Sequence, residues 1–431
     1  MNKRNEIKTG YIQTEIGRIP KEWEVVELGT CIDVFSGYAF KREDFLTNKS
    51  KGVPIIKIGN LQNGKVIIDD KTSFVPRDFY EKLFDFQLHY GDVLIALSGA
   101  TTGKIAVVDK DIGLALVNQR VGKFKILNSN ISQKFFYFLA QSDNFKKFVL
   151  RNIGQSAQGN LSPNQVKKSK IPLPPLPEQK KIAEILSTVD EAIEEVDDSI
   201  AKTERLKKGL MQELLTKGLP VASATQTGIG HKEFKNTEIG RIPKEWEVVR
   251  IKESKEIDLI MGQSPPGKSY NKKGEGLPFI QGKAEFGNMY PSPILWTTQP
   301  TKIAEEGDIL ISVRAPVGDV NICPYRLCIG RGLAAIRIKE GSNIFYFYWF
   351  QKEKQRIESI GKGSTFKAIT KDELSNIFIP FPSLPEQQKI AEILSTVDKR
   401  LVLLRNKKER LERVKKGLMN DLLTGKRRVK V

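Results

Sequence analysis

The segment LPEQKKIAEILSTVD at residues 176–190 returns as LPEQQKIAEILSTVD at 384–398 with one difference in fifteen positions. A second string, TEIGRIPKEWEVV, stands at 14–26 and again, letter for letter, at 237–249. A chain with such internal identity must fold as two copies of one plan, and this excludes most architectures before any propensity is weighed. The offset between copies is 237 − 14 = 223 at the opening and 384 − 176 = 208 at the ending. The first copy is therefore longer by about 15 residues in its middle.

Between the repeated ends the copies have diverged while keeping a common outline. GVPIIKIGN (52–60) answers GLPFIQGKA (276–284), GDVLIALSGATTGKIAV (91–107) answers GDILISVRAPVGDVNIC (307–323), and KIPLPPLPEQ (170–179) answers FIPFPSLPEQ (378–387). Short apolar runs such as GDVLIAL, GDILISV and VGKFKI, punctuated by Gly, Pro and Asn, read as strands. One aromatic amphipathic helix follows in each copy, SQKFFYFLAQSDNFKKFV and SNIFYFYWFQKEKQRIESI. Its Phe and Tyr residues recur at helical spacing, as core residues do. The expectation is two mixed α/β domains with prominent loops.

Each domain leads into a helix. Pro177 and Pro385 suit a first helical turn, where a missing N–H costs nothing, and Glu178 and Glu386 suit the positive end of the helix dipole. Downstream, apolar residues alternate at spacings of four and three: Ile182, Leu186, Val189, Ile193, Val196 and Ile200, with Leu210 and Leu214 after a polar interruption at Thr203 and Lys207. The second copy runs Ile390, Leu394, Val397, Leu401 and Leu404, then Leu411, Leu418 and Leu422. This heptad stripe calls for a helical partner. Residues 177–217 hold 7 basic and 10 acidic side chains, whereas 385–431 hold 14 and 6, so the two helices complement each other in charge. Antiparallel pairing would make a pseudo-twofold molecule with a domain at each end of a spacer. The other option is that each helix packs on its own domain. Boundaries follow as 1–175 for the first domain, 176–218 for its helix, 219–236 for a linker, 237–383 for the second domain and 384–431 for the last helix.

Charge narrows the partner class. There are 70 Lys+Arg against 51 Asp+Glu, a net charge of +19, which attracts polyanions by counterion release and points to nucleic acid. Hydrophobic residues are 39% and charged residues 28%, an ordinary globular composition, and no run approaches the roughly 18 apolar residues of a membrane span. Cys31, Cys323 and Cys328 make no disulfide framework and fit a reducing, cytoplasmic setting. His89 and His231 make no metal-ligand spacing with them. SGATTGKIA (98–106) resembles a P-loop, but Gly99 stands one residue too close to Gly103-Lys104 and Ile105 follows where Ser or Thr is needed. No catalytic constellation and no cofactor fingerprint are present, so no cofactor is expected on this chain.

The doubled TEIGRIPKEWEVV opening, variable domain and PLPPLPEQKKIAEIL helix closely resemble the specificity subunit of type I restriction-modification systems, over residues 8 to 425. The resemblance implies a non-catalytic subunit that binds double-stranded DNA. Each variable domain would be a target recognition domain reading one half of a split, asymmetric target, with the helices setting the unread spacing. Two methylation subunits, carrying S-adenosylmethionine, would dock on it and methylate adenine. Restriction subunits, using ATP and magnesium, would join them to cut unmodified DNA. The alternative is a DNA-binding scaffold without sequence choice; a self-sufficient methyltransferase is contradicted by the missing cofactor motifs.

Candidate DNA-reading residues lie in the loops, where Lys and Arg reach phosphates and Arg, Asn, Gln and Lys reach base edges. In the first domain these are Tyr38, Lys41, Arg42, Thr101, Lys104, Asn118, Gln119, Arg120, Gln155 and Gln158. In the second they are Lys268, Tyr270, Asn271, Lys272, Lys273, Gln281, Lys283, Arg314, Arg331, Lys362 and Lys367.

Overall fold

The computed structural model describes residues 10–47, 52–147, 159–220, 230–360 and 368–430. Gln155, Gln158, Lys362 and Lys367 lie outside them. The chain divides into two compact units, 1–196 with 407–431, and 197–406.

In the first unit the main sheet has the order Ile32–Ser36, Val121–Ile126, Val93–Ala96, Ile105–Val107, Lys65–Val66 and Leu61–Gln62. In the second unit the corresponding strands, Ile257–Met261, Leu333–Ile338, Ile309–Ser312 and Val320–Ile322, stand in the same order as the first four. Each unit adds a second sheet, three-stranded around Val53–Ile56 in the first and five-stranded around Leu277–Ile280 in the second. The mixed α/β expectation therefore holds in both units.

Helix α1 (Gln133–Ala140) covers one face of the first main sheet. Its Phe135, Phe136 and Phe138 are buried in one core with Val34, Ile95 and Phe124. The long helix α2 spans Leu176–Lys217. Helix α3 (Asn343–Ile360) buries six consecutive aromatic residues, Phe345 to Phe350, each at most 1% exposed. A helix apolar all round at one end must be enclosed on every side there, and α3 lies against Ile309, Ile311 and Ile336 of its sheet and against Ile390 and Leu394 of the last helix, α4 (Leu384–Leu422). The aromatic residues are core, as expected, although in α3 they are consecutive rather than confined to one face.

The helices run antiparallel in each unit. In the second, Glu204 meets Arg405 at 2.8 Å and Lys207 meets Asp398 at 2.8 Å, so numbers rise along α2 as they fall along α4. In the first, Asp190 meets Lys415 at 2.6 Å. The two lysine–aspartate pairs are copies of one contact, since 415 − 207 and 398 − 190 are both 208. Each lysine also lies over an aromatic ring, Lys207 over Tyr348 and Lys415 over Phe138. Thr203, read as an interruption of the seam, is 5% exposed and donates to the Ser199 carbonyl.

The two options for the helices prove to be combined. Ile182 and Leu186 join the first domain's core together with Leu422 and Leu423 from the end of α4. Ile390 and Leu394 join the second domain's core together with Leu214, Leu215 and Leu219. The first three turns of each helix thus pack on their own domain and the other helix at once. Farther along, Val196 and Leu401 are buried, and Val189, Ile193, Ile200, Val397 and Leu404 are half-buried.

The repeated strings are one lock, made twice. Glu178 is 2% exposed; it accepts from the Trp23 indole at 2.9 Å and from Arg428 at 2.7 and 3.0 Å. Glu386 accepts from the Trp246 indole at 2.9 Å and the Leu219 amide at 3.0 Å, and pairs with His231 at 2.8 Å. Gln179 receives the Ser132 amide at 2.8 Å at the start of α1, and its amide donates to Asn130 and Pro174 carbonyls. Gln387 receives the Ser342 amide at 2.9 Å and donates to Pro382. Both glutamates stand in the first turn of their helices, as expected, and each is in addition a buried acceptor that ties the segment around Trp23 or Trp246 to the exit helix.

Candidate nucleic-acid interface

In the first unit four segments meet at one end of the main sheet, held by backbone hydrogen bonds. Gly37 and Tyr38 donate to Val121 and Val117, Gln119 donates to Tyr38, Leu97 donates to Arg120, and Leu161 donates to Leu97. The Thr102 hydroxyl adds a bond to the Gly159 carbonyl at 3.1 Å. At Gly37 a Cβ would stand 2.3 Å from the Val117 oxygen, so only glycine allows this approach.

The second unit repeats four of these five backbone bonds. Gly262 and Gln263 donate to Leu333 and Ile329, Val313 donates to Gly332, and Ile369 donates to Val313. A Cβ on Gly262 would stand 2.2 Å from the Gly330 oxygen. The offset is 262 − 37 = 225 at the first contact, 313 − 97 = 216 at the next and 369 − 161 = 208 at the last. The extra length of the first copy is therefore spread over the loops, and the frame is unchanged.

This register matches residues that sequence cannot align. Val121 corresponds to Leu333, which sets Gln119 opposite Arg331 and Arg120 opposite Gly332. Gln119 and Arg331 are both exposed at the tip of the same turn, and the Arg331 amide is pinned to the Ser264 hydroxyl at 3.2 Å.

The remaining candidates fall into three groups. Lys41, Arg42, Thr101 and Arg120 are exposed and Lys104 half-buried around the first frame, as Gln281, Arg314 and Lys268 are exposed around the second. Other side chains are already engaged in building the loops. Asn118 is 8% exposed and its oxygen accepts from the Arg120 amide. Tyr38 packs among Phe40, Phe79 and Phe86. The Tyr270 ring lies on Phe279 with its hydroxyl donating to the Pro265 carbonyl, and Asn271 braces the 271–275 turn. Lys283 is bound to Asp319 at 2.6 Å. Lys272 and Lys273 precede strand Leu277–Ile280, whose far end carries Gln281, so they stand a strand's length from the Arg331 turn. Lys57 was not anticipated. Its ammonium donates to Ser73 at 2.8 Å and lies over Phe45, and burial lowers its pKa.

The family model for the type I restriction modification DNA specificity domain matches the chain twice, at residues 20–204 and 243–413. The chain belongs to the specificity-subunit family of type I restriction-modification systems. Among relatives of this specificity subunit, the putative type I restriction enzyme MjaX specificity subunit of Methanocaldococcus jannaschii is 43% identical, covering 97% of each chain. The MjaVIII specificity subunit of the same organism is 29% identical over 96% of this chain and 95% of that one. A solved chain from a study of complex assembly and conformational transition of the type I R-M system is 26% identical, with a TM-score of 0.54 over 94% of this chain and 99% of that chain. The type I restriction-modification S subunit from M. genitalium, 15% identical, shares the fold with a TM-score of 0.59 over 93% and 96%. No helix among the described residues of this subunit is long and apolar enough to cross a membrane.

Proposed function

We propose that this subunit, acting in the cytoplasm, reads a split asymmetric DNA sequence, one half through each loop frame, and contributes no catalysis of its own. The observation that carries this reading is the pair of frames: four shared backbone hydrogen bonds hold loops with different side chains, Gln119 and Arg120 in one and Arg331 and Gly332 in the other. Matching frames with unlike tips suit one docking geometry on two unlike half-sites. Residues 1–175 and 237–383 serve as the recognition domains. The helices, 176–218 and 384–431, fix the interval between half-sites, with 219–236 as the linker. On them dock two methylation subunits, which bring S-adenosylmethionine, and through that complex the ATP- and magnesium-dependent restriction subunits.

The test is to co-express the chain with its methylation subunit in a host lacking adenine methylation and to map N6-methyladenine across the genome. One two-part motif with a fixed gap is the expected result. Absent methylation from a confirmed complex would support a scaffold without sequence choice instead.

A further inference from the structure

We propose that the buried lock of the second unit is operated by a proton, through His231, while the matching lock of the first unit is held permanently by Arg428. The two locks are built on equivalent carboxylates. Glu22 and Glu245 stand 245 − 22 = 223 positions apart, the offset of the repeated opening, and Glu178 and Glu386 stand 386 − 178 = 208 apart, the offset of the repeated helix. In the first unit the Arg428 guanidinium bridges the pair, donating to Glu22 at 2.7 Å and to Glu178 at 2.7 and 3.0 Å. In the second unit the His231 ring makes the bridge, with Nδ1 2.8 Å from Glu245 and Nε2 2.8 Å from Glu386. His231 is not the repeat's copy of Arg428, whose counterpart by the helix offset is 428 − 208 = 220, a proline. The same bridge is thus closed by a different cation from a different point of the chain.

That difference changes the chemistry. A guanidinium keeps its charge and its donors across the whole range in which proteins fold, whereas an imidazole has two donors only when protonated. Ionised carboxylates only accept, so both ring nitrogens of His231 must carry protons for both bonds to exist. Loss of one proton leaves a lone pair facing a carboxylate oxygen. The ring has no room to turn away from it. The His231 side chain is 6% exposed, its plane stands nearly perpendicular to the Trp246 ring with 6.2 Å between centroids, and a Cβ on Gly218 would lie only 2.6 Å from Cδ2.

Among the described residues, the charged groups facing the ring are Glu245, from the turn before Trp246, and Glu386, from the start of α4. The chain just past α2 brings only the Gly218 backbone and the Leu219 amide to this place. Lys244 and Lys217, the cations beside these segments in sequence, are paired with Glu233 and Glu213. Nothing here replaces the proton. A histidine without partners loses its proton at about pH 6.5. Stability from the charged ring is therefore whole in mild acid and falls as pH rises through its deprotonation, so the Trp246 lock should open ahead of the Trp23 lock in alkali.

The test uses the full chain. With four tryptophans and two histidines in 431 residues, isotope labelling of these two types leaves each indole N–H and each imidazole resolvable by NMR. The indole N–H groups of Trp246 and Trp23 each donate to a lock glutamate at 2.9 Å. Their protection from solvent exchange reads both locks in one sample, and the ratio removes the intrinsic pH dependence of exchange. Between about pH 6 and about pH 9, protection of Trp246 should fall relative to Trp23 by at least about tenfold, the loss of one hydrogen bond between charged groups. The fall should run in step with deprotonation of the His231 ring. His231→Arg should abolish it, and Arg428→His should confer it on Trp23. His231→Gln, which cannot titrate, should keep the Trp246 indole weakly protected at every pH, and decides the matter where arginine does not fit. A constant ratio in the native chain, a fall that persists in His231→Arg or His231→Gln, or a His231 ring that titrates without moving Trp246 would overturn the proposal.

Discussion

Replacing Glu386 by alanine tests whether the repeated Trp and Pro-Glu-Gln segments act as a lock. Glu386 is 1% exposed and receives the Trp246 indole, the Leu219 amide and the His231 ring. Removing it leaves two neutral donors buried and unpaired, at about 1–3 kcal/mol each, and strips a buried histidine, 6% exposed, of one carboxylate. A loss of about 3–5 kcal/mol follows, which in a unit of this size corresponds to roughly 10 °C in Tm. Trp246→Phe removes a single donor and should cost less, about 1–2 kcal/mol. The assay is urea unfolding of the full chain, with hydrogen exchange read peptide by peptide. Protection should fall in the second unit, around Trp246 and the start of α3. A Glu386→Ala loss under about 1 kcal/mol, or equal loss of protection around Trp23, would refute the reasoning.

A double-mutant cycle of Lys207→Ala and Asp398→Ala should give a coupling of about 1 kcal/mol, since the side chains are only 19% and 24% exposed; the same cycle on Lys415 and Asp190 should agree, and a zero in either would deny the duplicated helix contact. Arg331→Ala should relax one position of one half-site in the methylation map, worth about 1–3 kcal/mol if the contact is bidentate to guanine, whereas a uniform loss over all sites would make it a phosphate contact. Gln119→Ala should alter the other half-site only, and a change in both would break the assignment of one frame to each half. In the native chain no thiol should react with Ellman's reagent at pH 8: Cys31, Cys323 and Cys328 are buried, and burial pushes Cys323 up to about 12, so its thiolate is scarce well above neutrality. Fast reaction of one thiol per chain would contradict that burial.

The repeat, the mixed α/β class and the antiparallel helices were legible because each rests on periodicity or identity, which sequence displays directly. The lock was not. The roles of Trp23 and Glu178 depend on a contact across 155 positions, with Arg428 arriving from 250 residues farther on. No local pattern encodes such a meeting, and a glutamate in a first turn already has a sufficient local reason to be there. The loop frames were legible as groups, since Gly, Asn and Gln between strand-like runs mark turns. Their members were not: Asn118, Tyr38 and Asn271 have the chemistry of base readers but are engaged in holding the loops. Similarly Glu194, one of the ten acidic side chains counted over residues 177–217, binds Lys65 of the first domain.

The lock also explains where the chain could diverge and where it could not. In each unit the strand that follows Trp23 or Trp246 pairs with the strand before the Pro-Glu-Gln helix, Val26 against Ile171 and Val249 against Ile379. Entry and exit are thereby fixed to each other and to the helix, independently of what lies between. Insertions in the loops then shift the offset from 225 to 208 without moving the frame bonds. Exposed side chains such as Gln119 and Arg331 are free to change, because the frame bonds join backbone groups. Two recognition surfaces of different character can thus be carried on one architecture, which is the condition for one chain to read two unlike half-sites.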